Sequence, residues 1–140
     1  MAARGQQSKR DTIRKILRDT HTVAVVGLSS RKERAGYYVP AYMQKHGYRI
    51  IPVNPYLKTA LGEKAYPDLP SIPEPIDLVL IFQRSENVPP FVEQAIQIGA
   101  RAVWMQLGIS HPAAAERARQ AGLDVVMDAC FMVEHRLWRA

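Results

Sequence analysis

A single glycine followed by two hydroxyl and three cationic side chains marks the segment Gly27–Arg34. The hydroxyls belong to Ser29 and Ser30, and the cations belong to Arg31, Lys32 and Arg34. Hydroxyl, ammonium and guanidinium groups are the side-chain donors that proteins use to hold phosphate oxygens. The segment therefore predicts a phosphate-binding turn. An ordinary surface turn that carries basic residues is the alternative.

The elements on either side of this turn would position its donors. Val23–Val26 is an unbroken apolar run, which is typical of a strand buried on both faces of a sheet. Gly27 can adopt backbone conformations that are closed to other residues, so the chain can turn sharply where the strand ends. We expect a helix to follow, with its free N–H groups and partial positive charge at the turn. An anion is favoured at that position.

The features that the turn lacks narrow the class of ligand. The dinucleotide fingerprint needs three closely spaced glycines and an acidic residue roughly 20 positions later that binds a ribose. This turn holds one glycine, and the next predicted strand ends in Asn54 and Pro55 rather than in Asp or Glu. No Gly-Lys-Ser/Thr follows, as a P-loop would require. NAD and P-loop nucleotides are therefore disfavoured.

Five apolar runs alternate with helical patterns along the chain. The predicted strands are Val23–Val26, Tyr48–Val53, Asp77–Phe82, Arg101–Met105 and Leu123–Met127. Such alternation predicts an α/β fold with a doubly wound, parallel, five-stranded sheet and helices on both faces, and we expect the strand order 3-2-1-4-5. An extra basic helix from Ser8 to about Asp19 would pack on or beside the domain. Ligands of such folds bind beyond the carboxyl ends of the strands, where the strand order reverses.

Length and composition indicate one domain covering residues 1–140. No apolar run approaches the roughly 20 residues of a membrane span, and the first ten residues lack the apolar core of a secretory signal. The lone cysteine, Cys130, excludes an internal disulfide. We therefore expect a cytoplasmic protein without a membrane partner, and the sequence indicates no metal site.

The net charge of +6 raises the question of nucleic-acid binding. The first 20 residues hold six of the 19 basic residues and two of the 13 acidic ones, so most of the excess charge lies there. No basic stripe is interleaved with aromatic residues, and none of the usual nucleic-acid motifs is present. A solvated basic helix is the simpler interpretation, and nucleic-acid binding through that helix is the alternative.

Motifs at the strand ends, taken in order, resemble a known family. They are Gly27-Leu28-Ser29-Ser30 with Arg34, Val53-Asn54-Pro55, Leu61-Gly62 to Tyr66-Pro67, Ile81-Phe82-Gln83-Arg84, Trp104-Met105-Gln106-Leu107-Gly108 and Cys130-Phe131-Met132-Val133-Glu134-His135. In order and spacing they are similar to the small stand-alone coenzyme-A-binding proteins and to the N-terminal CoA-binding domain of the succinyl-CoA synthetase alpha subunit. The resemblance runs from about Thr22 to Leu137.

The resemblance implies a Rossmann-like fold that binds coenzyme A (CoA), or an acyl-CoA, across the carboxyl edge of the sheet. The residues implied to meet the phosphates of the nucleotide half, or to lie beside them, are Gly27, Ser29, Ser30, Lys32 and Arg34. Those implied to line the flank of the nucleotide are Asn54 and Pro55. Those implied to pack beside the adenosine are Phe82, Gln83 and Arg84, and Gln106 would lie near the pantetheine path.

In functional terms the resemblance implies a binding module: a carrier, a sensor or an accessory subunit that works with a separate ligase or transferase subunit. The phosphorylated histidine of the synthetase belongs to a second domain that has no counterpart in this sequence, so ligase activity is not implied. The turn also has fewer glycines than the synthetase loop. The amphipathic first helix leaves a homo-oligomer open, since it can cover its own sheet or a neighbour's.

Two groups of residues allow a chemical interpretation. We expect Asp128 to cap the last helix and to place Cys130 in its first turn, where Cys130 is either a buried small residue or the partner of the CoA thiol in a mixed disulfide. The enzyme alternative is a Rossmann-type oxidoreductase or nucleotide-sugar enzyme that binds another adenine nucleotide. It would use Tyr37, Tyr38 or His135. The missing glycines and the missing acidic ribose ligand count against it.

Overall fold

The computed structural model describes residues 8–140. In chain order the strands are β1 (Thr22–Val26), β2 (Arg49–Val53), β3 (Thr59–Ala60), β4 (Glu63–Lys64), β5 (Leu78–Ile81), β6 (Ala102–Met105) and β7 (Asp124–Val126). The helices are α1 (Lys9–Asp19), α2 (Ala35–Lys45), α3 (Val88–Gln97), α4 (Pro112–Gln120) and α5 (Phe131–Arg139). Among these helices, none combines the length and the apolar character that crossing a membrane requires.

Five parallel strands form one sheet with helices on both faces, so the predicted α/β class is confirmed. Every residue of β1, β5 and β6 is buried, as their unbroken apolar runs predict. One core cluster lies between the sheet and the helices α3 and α4, and the other lies between the sheet and α1, α2 and α5. The short strands β3 and β4 form a separate antiparallel pair.

The order of the strands differs from the predicted one. Neighbours follow the order β2-β1-β5-β6-β7, which is 2-1-3-4-5 when only the strands of this sheet are counted, so the predicted order 3-2-1-4-5 is wrong. Pro52 gives the physical reason, because a residue without an N–H leaves one ladder hydrogen bond unmade and is therefore confined to edge strands. The Pro52 carbonyl accepts from the Tyr66 N–H (3.0 Å), so the segment after β4 occupies the place expected for the third strand.

The basic first helix is held on the domain by contacts to β7 and α5. Its buried side chains are Ile13, Ile16 and Leu17. Three of its cations reach across the interface: Lys9 to the Met127 carbonyl (2.8 Å), Arg10 to the Glu134 carboxylate (2.7 Å) and Lys15 to the Asp124 carboxylate (3.0 Å). Ser8 caps the helix, since its hydroxyl accepts from the Asp11 N–H (3.0 Å). Much of the N-terminal positive charge is therefore used within the domain.

A buried histidine joins α2 to α5. His135 is 5% exposed, and its Nδ1 lies 2.8 Å from the Tyr42 hydroxyl, within hydrogen-bond distance. Burial lowers the pKa of His135, and the nearby charges of His46 and Arg139 lower it further. The contact between the two helices is therefore most stable around an uncharged imidazole.

Stability should fall as the pH is lowered through the range in which His135 titrates. Because the pKa of His135 is lower in the folded than in the unfolded chain, its contribution is complete above the unfolded pKa of about 6.5 and is lost as the pH falls toward the folded pKa. Denaturant unfolding between about pH 7.5 and 5 measures this loss.

The variant His135→Gln, which keeps an acceptor for Tyr42 but does not titrate, should show a flatter pH profile. The control His21→Gln changes an exposed histidine and should keep the wild-type profile. Equal slopes in the wild type and in both variants would show that another group sets the pH dependence.

Candidate functional site

The floor of the site is the point at which β1 ends beside β5. Gly27 leaves β1 with a φ of +84°, in the left-handed region that favours glycine, and its N–H donates to the Val53 carbonyl (2.9 Å). A Cβ atom added to Gly27 would overlap the Phe82 carbonyl oxygen, which is backbone and cannot turn aside. Only glycine therefore allows these two strand ends to approach so closely.

Helix α2 begins at this turn and presents its N-terminus to the same place. The Ser29 N–H donates to the Gly36 carbonyl (3.0 Å), and a Cβ atom on Gly36 would lie 3.2 Å from the Gly27 carbonyl oxygen. Arg34 holds the N-cap position without a side-chain hydrogen bond to the helix. The N–H groups of Ala35 and Gly36 have no acceptor among residues 8–140. These amides and the helix dipole favour an anion.

The two predicted serines have different surroundings. Ser29 is half-buried, and its hydroxyl oxygen accepts from the Arg31 N–H (3.0 Å), so this side chain also shapes the turn. Ser30 is exposed at the rim. Each hydroxyl keeps a proton that it can donate to a phosphate oxygen.

Three arginines give the site its positive charge. Arg31, Arg34 and Arg84 are exposed and line it, and no Asp or Glu of residues 8–140 lines it with them. Arg31 is paired with Glu33 (2.9 Å), whereas the guanidinium groups of Arg34 and Arg84 meet no carboxylate of the described chain. Lys32 is exposed on the same turn but is not among the lining residues.

Asn54 ties the turn to the end of β2. Its side-chain amide donates to the Leu28 carbonyl (2.9 Å), and its Oδ1 accepts from the Tyr56 N–H (2.8 Å). Pro55 is exposed and is not among the lining residues. Tyr56 does line the site, and its side chain is almost fully exposed.

The opposite wall comes from the ends of β5 and β6. Its residues are Phe82, Gln83, Gln106, Leu107 and Ile109. Gln106 is buried, and its Oε1 accepts from the N–H of Phe131 (3.3 Å), the first residue of α5. This side chain therefore connects the site to the last helix.

Together these residues form an open groove of about 720 Å³ at the carboxyl edge of the sheet. It spans the tips of β1 and β5, between which the strand order reverses, and its volume lies in the range of small-molecule sites. A second cavity of about 470 Å³ lies at the amino edge of the sheet. Its charged lining residues are Asp19, Asp77, Asp124, Lys15 and Arg101. The three carboxylates make this second cavity unsuited to phosphates.

Of the residues predicted to contact a ligand, all but Lys32 and Pro55 line the groove. The other lining residues are Arg31, a cation of the predicted phosphate turn, and Ala35, Gly36, Tyr56, Leu57, Leu107 and Ile109. Tyr56 and Leu107 directly follow predicted strand-end positions, so their distance from a strand end was a usable signal. Free N–H groups at the start of the helix after the turn were predicted, and the structure identifies them as those of Ala35 and Gly36.

The residues of the enzyme and thiol hypotheses lie outside the lining of the groove. Those of the enzyme hypothesis are Tyr37, Tyr38 and His135. Cys130 is half-buried at the N-cap position of α5 rather than in its first turn. We expected Asp128 to cap α5, but Cys130 holds the N-cap position instead. The Asp128 carboxylate accepts from the Gly108 N–H (2.7 Å) and fixes the loop after β6.

Comparison with known sequences gives one family. Residues 21–136 match a family model described as "CoA binding domain". The chain is 40% identical over 130 residues to the uncharacterized protein YneT of Bacillus subtilis (strain 168), and the match covers 93% of this chain and 96% of YneT. It is 30% identical over 92 residues to acetate–CoA ligase (ADP-forming) II of Archaeoglobus fulgidus. This match covers 64% of this chain but only 14% of the ligase.

Solved structures share the architecture. A hypothetical protein from Pyrococcus horikoshii OT3 superposes with a TM-score of 0.90 at 37% identity, covering 96% of this chain and 94% of that chain. The dinucleotide-forming acetyl-coenzyme A synthetase 1 of Ca. Korarchaeum cryptofilum superposes with a TM-score of 0.69 at 20% identity, over 79% of this chain and 27% of that chain. These neighbours confirm the Rossmann-like fold.

Replacing Gly27 by alanine should destabilise the protein more than replacing Gly99. Both glycines have a positive φ, +84° and +76°, so both alanines carry the left-handed backbone cost of about 1–2 kcal/mol. A Cβ atom on Gly99 meets nothing within 4 Å, whereas on Gly27 it overlaps Phe82, which should add about 1–3 kcal/mol. Denaturant unfolding of Gly27→Ala and Gly99→Ala measures the difference. Equal losses would show that the ends of β1 and β5 can separate freely.

Proposed function

The chain belongs to the CoA-binding domain family, and from this we propose that it binds coenzyme A in the groove at the carboxyl edge of its sheet. CoA joins a 3′-phosphorylated adenosine and a diphosphate to a long, weakly polar pantetheine arm. A site for it needs anion donors next to a less polar surface. The observation that carries the proposal is the cluster of unpaired donors around Gly27: the amides of Ala35 and Gly36 with the guanidinium groups of Arg34 and Arg84.

The diphosphate is the part of CoA that these donors suit best. Because Gly27 lets the strand end, the turn and α2 come close together, the first amides of α2 face the groove, where they would donate to the anion. The hydroxyls of Ser29 and Ser30 lie in the same turn and would donate as well. Arg34 and Arg84 would supply charge-assisted hydrogen bonds, which are roughly twice as strong as neutral ones.

Around this anion site, the remaining predicted residues take supporting roles. Lys32 adds positive charge beside the turn without lining the groove. Asn54 holds the turn in place, and Pro55 follows it on the nucleotide flank. Phe82 and Gln83 would face the ligand from the end of β5. Gln106, with the apolar residues that follow it, would lie along the pantetheine path.

We propose a binding role rather than a catalytic one: a cytoplasmic carrier, sensor or accessory subunit for CoA or an acyl-CoA. Acetate–CoA ligase (ADP-forming) II includes a segment similar to this chain, and that segment is a small part of the enzyme. The remainder of such an enzyme would have to supply acyl transfer. A separate ligase or transferase subunit is therefore the partner that this proposal implies.

Calorimetric titration with CoA tests the proposal directly. We expect saturable binding to one site, weaker binding of dephospho-CoA, which lacks the 3′-phosphate, and weaker binding still of NAD. The melting temperature should rise with CoA concentration, because a ligand that binds only the folded state stabilises it. If CoA produces neither heat nor a shift in melting temperature, the proposal is wrong.

Arg34→Ala should weaken CoA binding about tenfold, since hydrogen bonds to charged groups contribute about 1.5–3 kcal/mol. It should also reduce the salt dependence of binding, because an unpaired cation near the phosphates is lost. The control is Arg119→Ala, which removes an exposed cation from α4, outside the groove. Titrations of both variants at two ionic strengths measure these effects. Equal affinities would place the phosphates away from Arg34.

A further inference from the structure

Four exposed apolar side chains lie on the neighbouring helices α2 and α5, outside the groove. Among the described residues six large hydrophobic side chains are exposed, and Tyr56 and Leu107 are the two that line the groove. The other four, which we call the α2–α5 patch, are Tyr38, Val133, Leu137 and Trp138. Single exposed apolar residues are common on protein surfaces, whereas several on adjoining elements mark an interaction site.

Contacts between α2 and α5 hold the two helices side by side and make the patch one surface. The Tyr42 hydroxyl of α2 lies 2.8 Å from Nδ1 of His135. One turn further along both helices, the Arg139 guanidinium lies 2.8 Å from Nε2 of His46. The two helices therefore run in the same direction. Tyr38 precedes Tyr42 by one turn, so it lies on the side of α2 that faces α5.

The exposed side chains repeat at the spacing of a helical turn on both helices. Val133 and Leu137 lie one turn apart on the same face of α5. Tyr38 and Tyr42 are related in the same way on α2. The side chains of a third helix repeat at the same distance of about 5.4 Å, so a helix fits along two such rows.

The patch is surrounded by positive charge and has no free carboxylate beside it. Lys45, Arg136 and Arg139 are exposed on the two helices, and none of them pairs with a carboxylate of residues 8–140. The one acidic residue of these helices is Glu134, whose carboxylate pairs with Arg10 of α1 (2.7 Å). A partner that brings carboxylates is therefore complementary to this surface.

We propose that the α2–α5 patch docks an acidic amphipathic helix that belongs to another protein. Trp, Tyr and Arg are the residues that most often dominate the binding energy of protein interfaces, and the patch with its surrounding cations offers all three. The Arg136 guanidinium lies over the Tyr42 ring, 5.2 Å from its centroid, so this cation is held among the apolar groups. A carboxylate next to an apolar face of the partner would meet it there.

A second copy of this chain is a poorer occupant of the patch. Contacts between identical subunits are usually self-complementary around a two-fold axis. Each copy would then present Lys45, Arg136 and Arg139 to the same three cations of the other. Like charges that face each other across an interface disfavour the complex.

Fluorescence anisotropy with two synthetic helical peptides tests the docking proposal. Both peptides have about 18 residues with leucine at positions i, i+3, i+4 and i+7; the other positions are glutamate in the acidic peptide and lysine in the basic one. The variants are Leu137→Asp and Arg136→Glu. Their matched controls are Leu107→Asp, which changes a similarly exposed leucine (65% against 62%) in the groove, and Arg119→Glu, which changes an exposed cation of α4. Circular dichroism verifies that each variant is folded.

The acidic peptide should bind the wild type saturably and about tenfold more tightly than the basic peptide, and its affinity should fall as salt is added. Leu137→Asp and Arg136→Glu should each weaken it by about tenfold or more, because both set a negative charge against the peptide. The two controls should bind both peptides as the wild type does. Leu137→Asp should keep the wild-type affinity for CoA, because Leu137 does not line the groove.

The docking proposal is wrong if the acidic peptide does not bind, if the basic peptide binds equally well, or if Leu137→Asp and Arg136→Glu leave the affinity unchanged. Sedimentation and vesicle binding test the other occupants. A wild-type dimer that Leu137→Asp dissociates would assign the patch to a second copy. Binding to phosphatidylglycerol vesicles that the same variant abolishes would assign it to a membrane surface. Either result contradicts the docking proposal, and neither bears on CoA binding, because the patch lies outside the groove.

Discussion

The close backbone contact between Gly27 and Phe82 is the constraint on which the shape of the groove depends. Without a side chain on Gly27, the ends of β1 and β5 meet where the strand order reverses. Gly36 also lacks a side chain, and this allows the start of α2 to lie against the Gly27 carbonyl. Two missing Cβ atoms thus bring a helix N-terminus next to a strand end. The proposed anion site therefore starts from main-chain atoms, and the cations add to it.

The positive charge of the chain falls into two groups with different surroundings. The cations of α1 are largely satisfied within the protein, by Asp124, by Glu134 and by the Met127 carbonyl. Those at the groove face a lining without carboxylates, and Arg34 and Arg84 have no acidic partner in the described chain. Unpaired cations that line the same groove as free amides favour a multiply charged anion. Net charge alone did not distinguish these two groups.

The apolar runs predicted the strands well, because a parallel sheet buried on both faces leaves little room for polar side chains. The predicted strand order was wrong. Pro52 already indicated that its strand lies at an edge, since a proline removes one ladder hydrogen bond from a central strand. Predicted ligand contacts at strand ends mostly line the groove, because parallel strands end at one edge. The cap of α5 depends on loop geometry, which side-chain identity does not encode. Asp128, for example, turns toward Gly108 instead.

The way in which the sheet ends on each side limits how copies of this chain can associate. On one side Tyr66 occupies hydrogen-bonding groups of β2, and Pro52 offers no donor there. On the other side β7 is three residues long, and Lys9 and Lys15 lie against its end and its first residue. Edge strands that are short, covered or flanked by charges are poor templates for pairing with a strand of another copy. A complex of several copies would therefore assemble through helix surfaces, leaving the sheet discontinuous between subunits.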